Sequence, residues 1–364
     1  MTVRKCVFWL HLATGVVAGA VILVMSVTGV LLTYQKQMTT WADRSLYPVE
    51  SLKGSGPLPI ERLVTGTPGA VAVTVYSEPT APALVSAGGR SLFVDPYSGA
   101  VLGEGSTAIR SFFRSVTEWH RWLSLSGPKR NSGRAITGAC NLAFLFIVGS
   151  GLWLWFPRQW TVASIRQVIW FREGLRGKAR DFNWHNVLGF WSCVPLFLVV
   201  LGGVIISYPW ASNMVYRVTG NEAPAPGPQP LAAAPARPLV VNVEGVDALL
   251  LKAKTQVTDW RSINVRLPAD ALAPVTVAID RGNGGQPQLR STLVLDRTGS
   301  VVRWERFEDQ NAGRQLRTWF RFVHTGEFYG VAGQTIAGLA SVSGVLLVWT
   351  GIALALRRLR TVFR

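Results

Sequence analysis

The chain has 364 residues, 49% of them hydrophobic and only 16% charged, with a positive mean hydropathy of +0.26. That balance excludes a disordered or ordinary water-soluble chain and places the protein in the membrane class. The formal net charge of +17 does not signal nucleic acid, because the basic residues flank apolar runs and no recognition motif accompanies them.

Three cysteines, Cys6, Cys140 and Cys193, lie in or beside apolar runs. Neither soluble stretch holds a pair, so no disulfide framework is expected, and without C-x-x-C-H no haem is attached covalently.

The first apolar run, residues 7–33, exceeds the ~7–15 residues of a signal-peptide core and no A-x-A-like cleavage site follows it. It is predicted to be an uncleaved transmembrane helix, since at ~1.5 Å per residue it crosses the ~30 Å hydrocarbon layer. Residues 34–117 read as a soluble α+β domain with strand-like runs at Val71–Tyr76 and Ser91–Val94. Within it, Leu92–Gly103 reads as strand, Asp-Pro-x-x-Gly turn, strand. Helical spacing resumes over Phe112–Leu123, and a second span is predicted over 134–156. Residues 157–183 form a basic loop in which Val162, Ile165, Val168 and Ile169 keep helical spacing, as in a segment lying on a membrane surface.

The third span is predicted over 184–208. A Pro/Ala-rich stretch, 221–238, reads as a stiff linker. The second soluble domain, 239–308, repeats the strand–turn–strand pattern at Thr292–Val302. A helical run, Arg314–His324, leads to the fourth span, 329–356, which ends in Arg357, Arg358 and Arg360.

The spans echo one another. His11, Gly15, Gly29 and Tyr34 recur 174 residues later as His185, Gly189, Gly203 and Tyr208. Gly133, Ile136, Gly138 and Gly151 recur 200 residues later as Gly333, Ile336, Gly338 and Gly351. Matches at constant offsets indicate a duplicated span–domain–span unit. Positive charge flanks the N-terminus, the 157–183 loop and the C-terminus. This places those three in the cytoplasm and both soluble domains on the far side, in a bacterium the periplasm.

The chain has four histidines, and each stands at or just before the start of a span. His11 and His185 fall at the cytoplasmic edge, His120 and His324 at the outer edge. One such histidine reads as an interfacial side chain. All four, paired by side, read as metal ligands in the neutral imidazole form. Two histidines per site, without carboxylate or thiolate, are too few for a closed zinc site and sufficient for the two axial positions of haem iron, an arrangement suited to electron transfer.

Gly15 and Gly189 follow their histidines by one turn, and Gly29 and Gly203 return to the same helix faces ~27 Å on. Such glycines admit a flat macrocycle between helices, and they equally serve close helix packing. Arg314, Arg317 and Arg321 form a stripe leading to His324. Such a stripe suits haem propionates, an anionic substrate or lipid headgroups. Trp119, Trp122, Trp184 and Trp319 read as interfacial anchors. No G-x-G-x-x-G after a strand, P-loop or H-E-x-x-H is present, so the electron donor is expected to be a separate cytoplasmic protein or a membrane quinol.

HLATG…SVTGVLLTY in the first span, LFVDPYSGAVLG, EWHRWL, SGLWLWFPR and NWHNVLGFW together resemble the PepSY-associated transmembrane family, over nearly the whole chain. The resemblance implies a membrane α-helical core of four spans with two periplasmic PepSY-type domains. It also implies two non-covalent b-type haems, with ligands mapping to His11, His120, His185 and His324, in an inner-membrane reductase of ferric siderophores. The expected function is thus transmembrane electron transfer to a ferric chelate. The alternative is a membrane-anchored regulator of a peptidase, or another binding module without redox activity. A metal permease fits poorly, because the spans carry no buried carboxylate or lysine.

Overall fold

A computed structural model describes residues 2–50, 56–156, 161–224 and 242–362. In chain order the elements are α1 (Val3–Leu32), α2 (Gln35–Leu46), α3 (Ile60–Thr65), β1 (Ala70–Tyr76), β2 (Ala83–Ala87), β3 (Arg90–Val94), β4 (Val101–Gly103), α4 (Thr107–Trp122), α5 (Arg130–Trp155), α6 (Val162–Ile169) and α7 (Gly177–Ser207). There follow α8 (Pro209–Val218), α9 (Val246–Gln256), β5 (Ser262–Arg266), β6 (Val275–Asp280), β7 (Arg290–Leu295), β8 (Val301–Arg306), α10 (Ala312–His324) and α11 (Gly330–Val362). These fall into two compact units, one of Met1–Gln35, Phe112–Gly220 and Leu316–Arg364, the other of Lys36–Ser111 and Asn221–Gln315.

The first unit is built on four helices, α1, α5, α7 and α11, each long and apolar enough to cross a membrane. α1, α5 and α7 begin four to seven residues before the predicted spans, because the polar residues ahead of each apolar run continue the same helix, whereas α11 begins at Gly330, within a residue of its predicted start. The basic stretch 157–183 is correspondingly not all loop: it contains α6 and the first turns of α7.

Each of the four helices packs on two others, in the cyclic order α1–α5–α7–α11. Small residues let the backbones close up, as expected where lipid offers no hydrophobic drive. A Cβ on Gly19 would stand 3.3 Å from Ile352 Cδ1, one on Gly338 3.1 Å from Thr33, and one on Gly344 2.9 Å from Ser26 Oγ. The polar residues of the spans are spent on carbonyls: Asn141 Nδ2 donates to Val200 O (3.1 Å) and Gln334 Nε2 to Thr33 O (2.7 Å). An unsatisfied amide at that depth costs several kcal/mol.

The second unit is a single antiparallel sheet in the order β4-β3-β2-β1-β5-β6-β7-β8. The two soluble stretches are therefore not separate domains, as the sequence suggests. They join along β1 and β5, with Val73 opposite Val265 and Val75 opposite Ile263. Either half alone would leave a valine-rich strand with an unpaired row of backbone groups, and pairing the two removes both edges. Val73, Val265, Val277 and Leu293 on one sheet face pack with Leu63, Leu249 and Ala253 of α3 and α9. The Asp247 carboxylate accepts from Ile60 N–H (2.8 Å), tying α9 to the start of α3.

Both anticipated Asp…Gly turns are present. Asp95 accepts from the N–H groups of Tyr97 and Ser98, Asp296 from those of Thr298 and Ser300. Gly99 and Gly299 take the left-handed conformations (φ 73° and 82°) that close them. The linker reading of 221–238 falls largely on 225–241, outside the described residues.

Candidate functional site: two histidine pairs in the helical unit

His11 on α1 and His185 on α7 come from helices that face each other across the bundle, and their ring centres are 6.4 Å apart. Each is held from a neighbouring helix. His11 Nδ1 lies 2.9 Å from Ser150 Oγ on α5, and His185 Nδ1 2.9 Å from Thr350 Oγ1 on α11. A hydroxyl has one hydrogen. Ser150 gives its own to Ile147 O (3.2 Å) and Thr350 to Leu346 O (2.7 Å). Both oxygens therefore accept from the histidines, which fixes the Nδ1–H tautomer and leaves the Nε2 lone pair uncommitted. The next residue is glycine in both cases: a Cβ on Gly151 would stand 3.3 Å from His11 Cε1, and one on Gly351 3.3 Å from His185 Cε1.

His120, at the end of α4, and His324, at the end of α10, form the second pair, with ring centres 6.3 Å apart. His120 Nδ1 lies 2.9 Å from Thr28 Oγ1, whose hydrogen goes to Val24 O (2.6 Å). His324 Nδ1 donates to Val199 O (2.7 Å), and a carbonyl can only accept. All four imidazoles thus share one tautomer, and none of the Nε2 atoms takes a hydrogen bond among the described residues. Burial, and next the neighbouring His324, hold His120 down to about 4, and burial lowers His324 as well. Both shifts favour the neutral imidazole, the form that ligates metal. Thr28 lies 17 residues beyond His11 on α1, which sets the pairs about 25 Å apart along the helix.

Two imidazoles sharing one metal, each bonded at about 2.0–2.1 Å, have ring centres about 6 Å apart. Both pairs meet that spacing. Among the described residues no further His, Cys, Asp or Glu joins either pair as a third ligand. The glycines divide. A Cβ on Gly15 would meet nothing within 4 Å, and one on Gly189 only Leu347 Cδ2 at 3.8 Å, so open space lies one turn beyond His11 and His185. Gly203 makes room for Asn141, 2.8 Å from its would-be Cβ, and Gly29 for Ser341 and His120 at 3.4 and 3.6 Å. Gly15 and Gly189 therefore fit a macrocycle cradle, whereas Gly203 serves helix packing and Gly29 receives His120 itself.

Arg314, Arg317 and Arg321 all lie on α10, where Arg317 Nε donates to Ser212 Oγ on α8 (2.6 Å) and Arg321 lies beside Phe322. Sequence reasoning missed Thr28, Ser150, Thr350 and the Val199 carbonyl as the acceptors that hold the rings. A signal for two of them was present: Ser150 and Thr350 are 200 residues apart, each directly before a glycine of the repeat.

No curated protein matches the chain. A family model described as the PepSY-associated TM region matches residues 8–358. With its four membrane-crossing helices, the chain is a multi-pass membrane protein and belongs to the PepSY-associated transmembrane family.

Proposed function

We propose that this protein is a dihaem b-type electron carrier of a bacterial inner membrane. It takes electrons from a cytoplasmic or quinol donor and delivers them to a ferric siderophore, or similar Fe(III) chelate, in the periplasm. The observation that carries the reading is the geometry of the two histidine pairs. Each has its Nδ1 atoms tied off, its Nε2 atoms uncommitted and its ring centres 6.3–6.4 Å apart. In this reading His11 and His185 hold the cytoplasmic-side haem, and His120 and His324 the periplasmic-side one. Basic flanks at Arg4, Lys5, Arg357, Arg358 and Arg360 orient the N- and C-termini to the cytoplasm, which puts the sheet unit in the periplasm.

When bound at His11 and His185 and at His120 and His324, haem would supply a one-electron Fe(III)/Fe(II) couple. The chain's residues position and insulate it. Ser150, Thr350, Thr28 and the Val199 carbonyl orient the four rings and raise their basicity. The apolar helix surfaces keep water from the sites. At the substrate, one electron converts Fe(III) to Fe(II), which hard oxygen donors hold more weakly, so the metal is released for uptake.

The test is a quantitative haem assay with reduced-minus-oxidised spectra on the wild type and on His11→Ala, His120→Ala, His185→Ala and His324→Ala. About two b-type haems per chain, with about one lost in each variant, are expected, followed by reduction of ferric chelates by the loaded protein. A wild type without haem from haem-replete cells eliminates the electron carrier and leaves the membrane-anchored regulator.

A further inference from the structure

At the His120 end of the bundle, the close of α4 and the start of α5 gather arginines round one indole. The guanidinium carbon of Arg130 stands 3.7 Å from the centre of the Trp122 ring, and that of Arg121 4.6 Å. The crowding is built into the backbone. Leu123 and Ser124 turn the chain in left-handed conformations (φ 52° and 58°) that side chains rarely adopt. Gly133, without a Cβ, lets α5 lie directly on the Trp122 backbone. Arg134 follows Arg130 by one turn of α5, and Arg321 precedes His324 by one turn of α10, the ring of His324 lying 6.3 Å from that of His120 beside Arg121.

None of these four arginines makes an ion pair with a carboxylate among the described residues. Glu118, one turn before Arg121, does not pair with it. Elsewhere in the chain arginines do find carboxylates, as in Arg44–Glu78, Arg110–Asp43, Arg290–Asp280 and Arg357–Asp181. Cations gathered without a counter-charge repel one another, and an anion placed among them is held by all four. Guanidinium forks match planar carboxylates in particular. Arg121 adjoins His120 in sequence and Arg321 lies one turn before His324, so an anion held here sits beside the second histidine pair.

We propose that Arg121, Arg130, Arg134 and Arg321 form the receiving site for an anionic, carboxylate-bearing ferric chelate. This rests on the electron-carrier reading for its iron and on the arginines alone for its charge. The acceptor class is then anionic chelates, in preference to neutral or cationic ones.

The test uses gallium(III)–citrate, which has a trivalent metal that is not reduced, so that binding is read apart from electron transfer. Full-length protein in zwitterionic phosphatidylcholine nanodiscs is expected to bind the probe, and to bind it less well as salt rises. The exposed double variant Arg130→Gln/Arg134→Gln should weaken binding by about tenfold or more, and Arg130→Lys/Arg134→Lys by less.

Four results overturn the site: no binding by the wild type; equal binding by the Gln variant; loss of haem in the Gln variant, which assigns the arginines to the cofactor's own carboxylates; or phosphatidylglycerol that co-purifies with the wild type only, with probe binding unmoved, which assigns them to lipid headgroups. Haem-free protein that still binds the probe sinks the electron-carrier reading and keeps the site. Haem-loaded protein that fails to bind sinks the site alone.

Discussion

The two ends of the helical unit hold the same pair of side chains in different electrical settings. At the His11 end a buried carboxylate answers two arginines: Asp181, 3% exposed, takes Arg180 at 2.9 Å and Arg357 at 2.6 Å, joining α7 to α11. Aromatic rings fill the surroundings, with Trp155 stacked on Phe190 at 4.4 Å and Trp184 edge-on to Trp349. At the His120 end Arg121, Arg130, Arg134 and Arg321 pair with no carboxylate among the described residues. The way the rings are held differs less. Three Nδ1 atoms bond to hydroxyls and one to a carbonyl, because the position 174 residues after Thr28 is Gly202. There a Cβ would stand 2.7 Å from Phe320 O and 2.9 Å from His324 Cβ. Losing the hydroxyl brings α10 close enough for His324 to reach the Val199 carbonyl. What the ends share is therefore what fixes an imidazole, and what separates them is what an incoming partner meets.

Substitutions at one end should leave the other intact. The largest contrast is expected from His185→Ala and His120→Ala, each removing about one of two haems, with different bands surviving in low-temperature difference spectra. Loss of both haems from either variant would show that the sites are not independent.

Gly202→Ala presses a methyl into Phe320 and His324, an overpacking cost of about 1–3 kcal/mol. It should lower the thermal midpoint in detergent and disturb only the His120-end spectrum. Thr28→Val removes the acceptor of His120, and lost partners of this kind weaken metal binding about 10–100-fold. Haem titration of the apoprotein should show the loss at one site of two.

Asp181→Asn leaves Arg180 and Arg357 without their counter-charge. Both arginines are partly exposed, so the loss should be about 1–2 kcal/mol, below the ~3–5 of a fully buried pair. It is read as a drop in thermal midpoint with an unchanged His120-end spectrum. The smallest effect on the apoprotein is expected from Gly15→Ala, whose methyl meets nothing and gains up to about 1 kcal/mol of helix propensity. If a macrocycle fills that space, the same change lowers haem affinity at the His11 end, and equal haem affinity would remove Gly15 from the site.

The four spans were legible because hydropathy over about 20 residues is a one-dimensional property. The histidine pairing by side was legible because it needs only the direction of each span, and the structure brings those rings together. The union of the two soluble stretches was not. β1 and β5 lie almost 190 residues apart, and an alternating valine strand reads alike at an edge and in the centre of a sheet. The roles of Gly29 and Gly203 stayed open in the sequence for a similar reason: a glycine facing a cofactor and one facing a helix have the same sequence signature, and only Asn141 and His120, distant in the chain, tell them apart. The arginine cluster at Trp122 escaped notice because its members come from α4, α5 and α10, with no common spacing.

The pairing of β1 with β5 also has a consequence for synthesis. At about 5–20 residues per second, β5 leaves the ribosome roughly 10–40 s after β1. Two membrane-crossing helices are made in that interval. For that time Val73 and Val75 lie on an open strand edge, competent to pair with any other extended chain. The nascent first half therefore needs either shielding by a chaperone or a slow alternative partner, and shortening the delay by codon choice should change the yield of folded protein more than it changes its final stability.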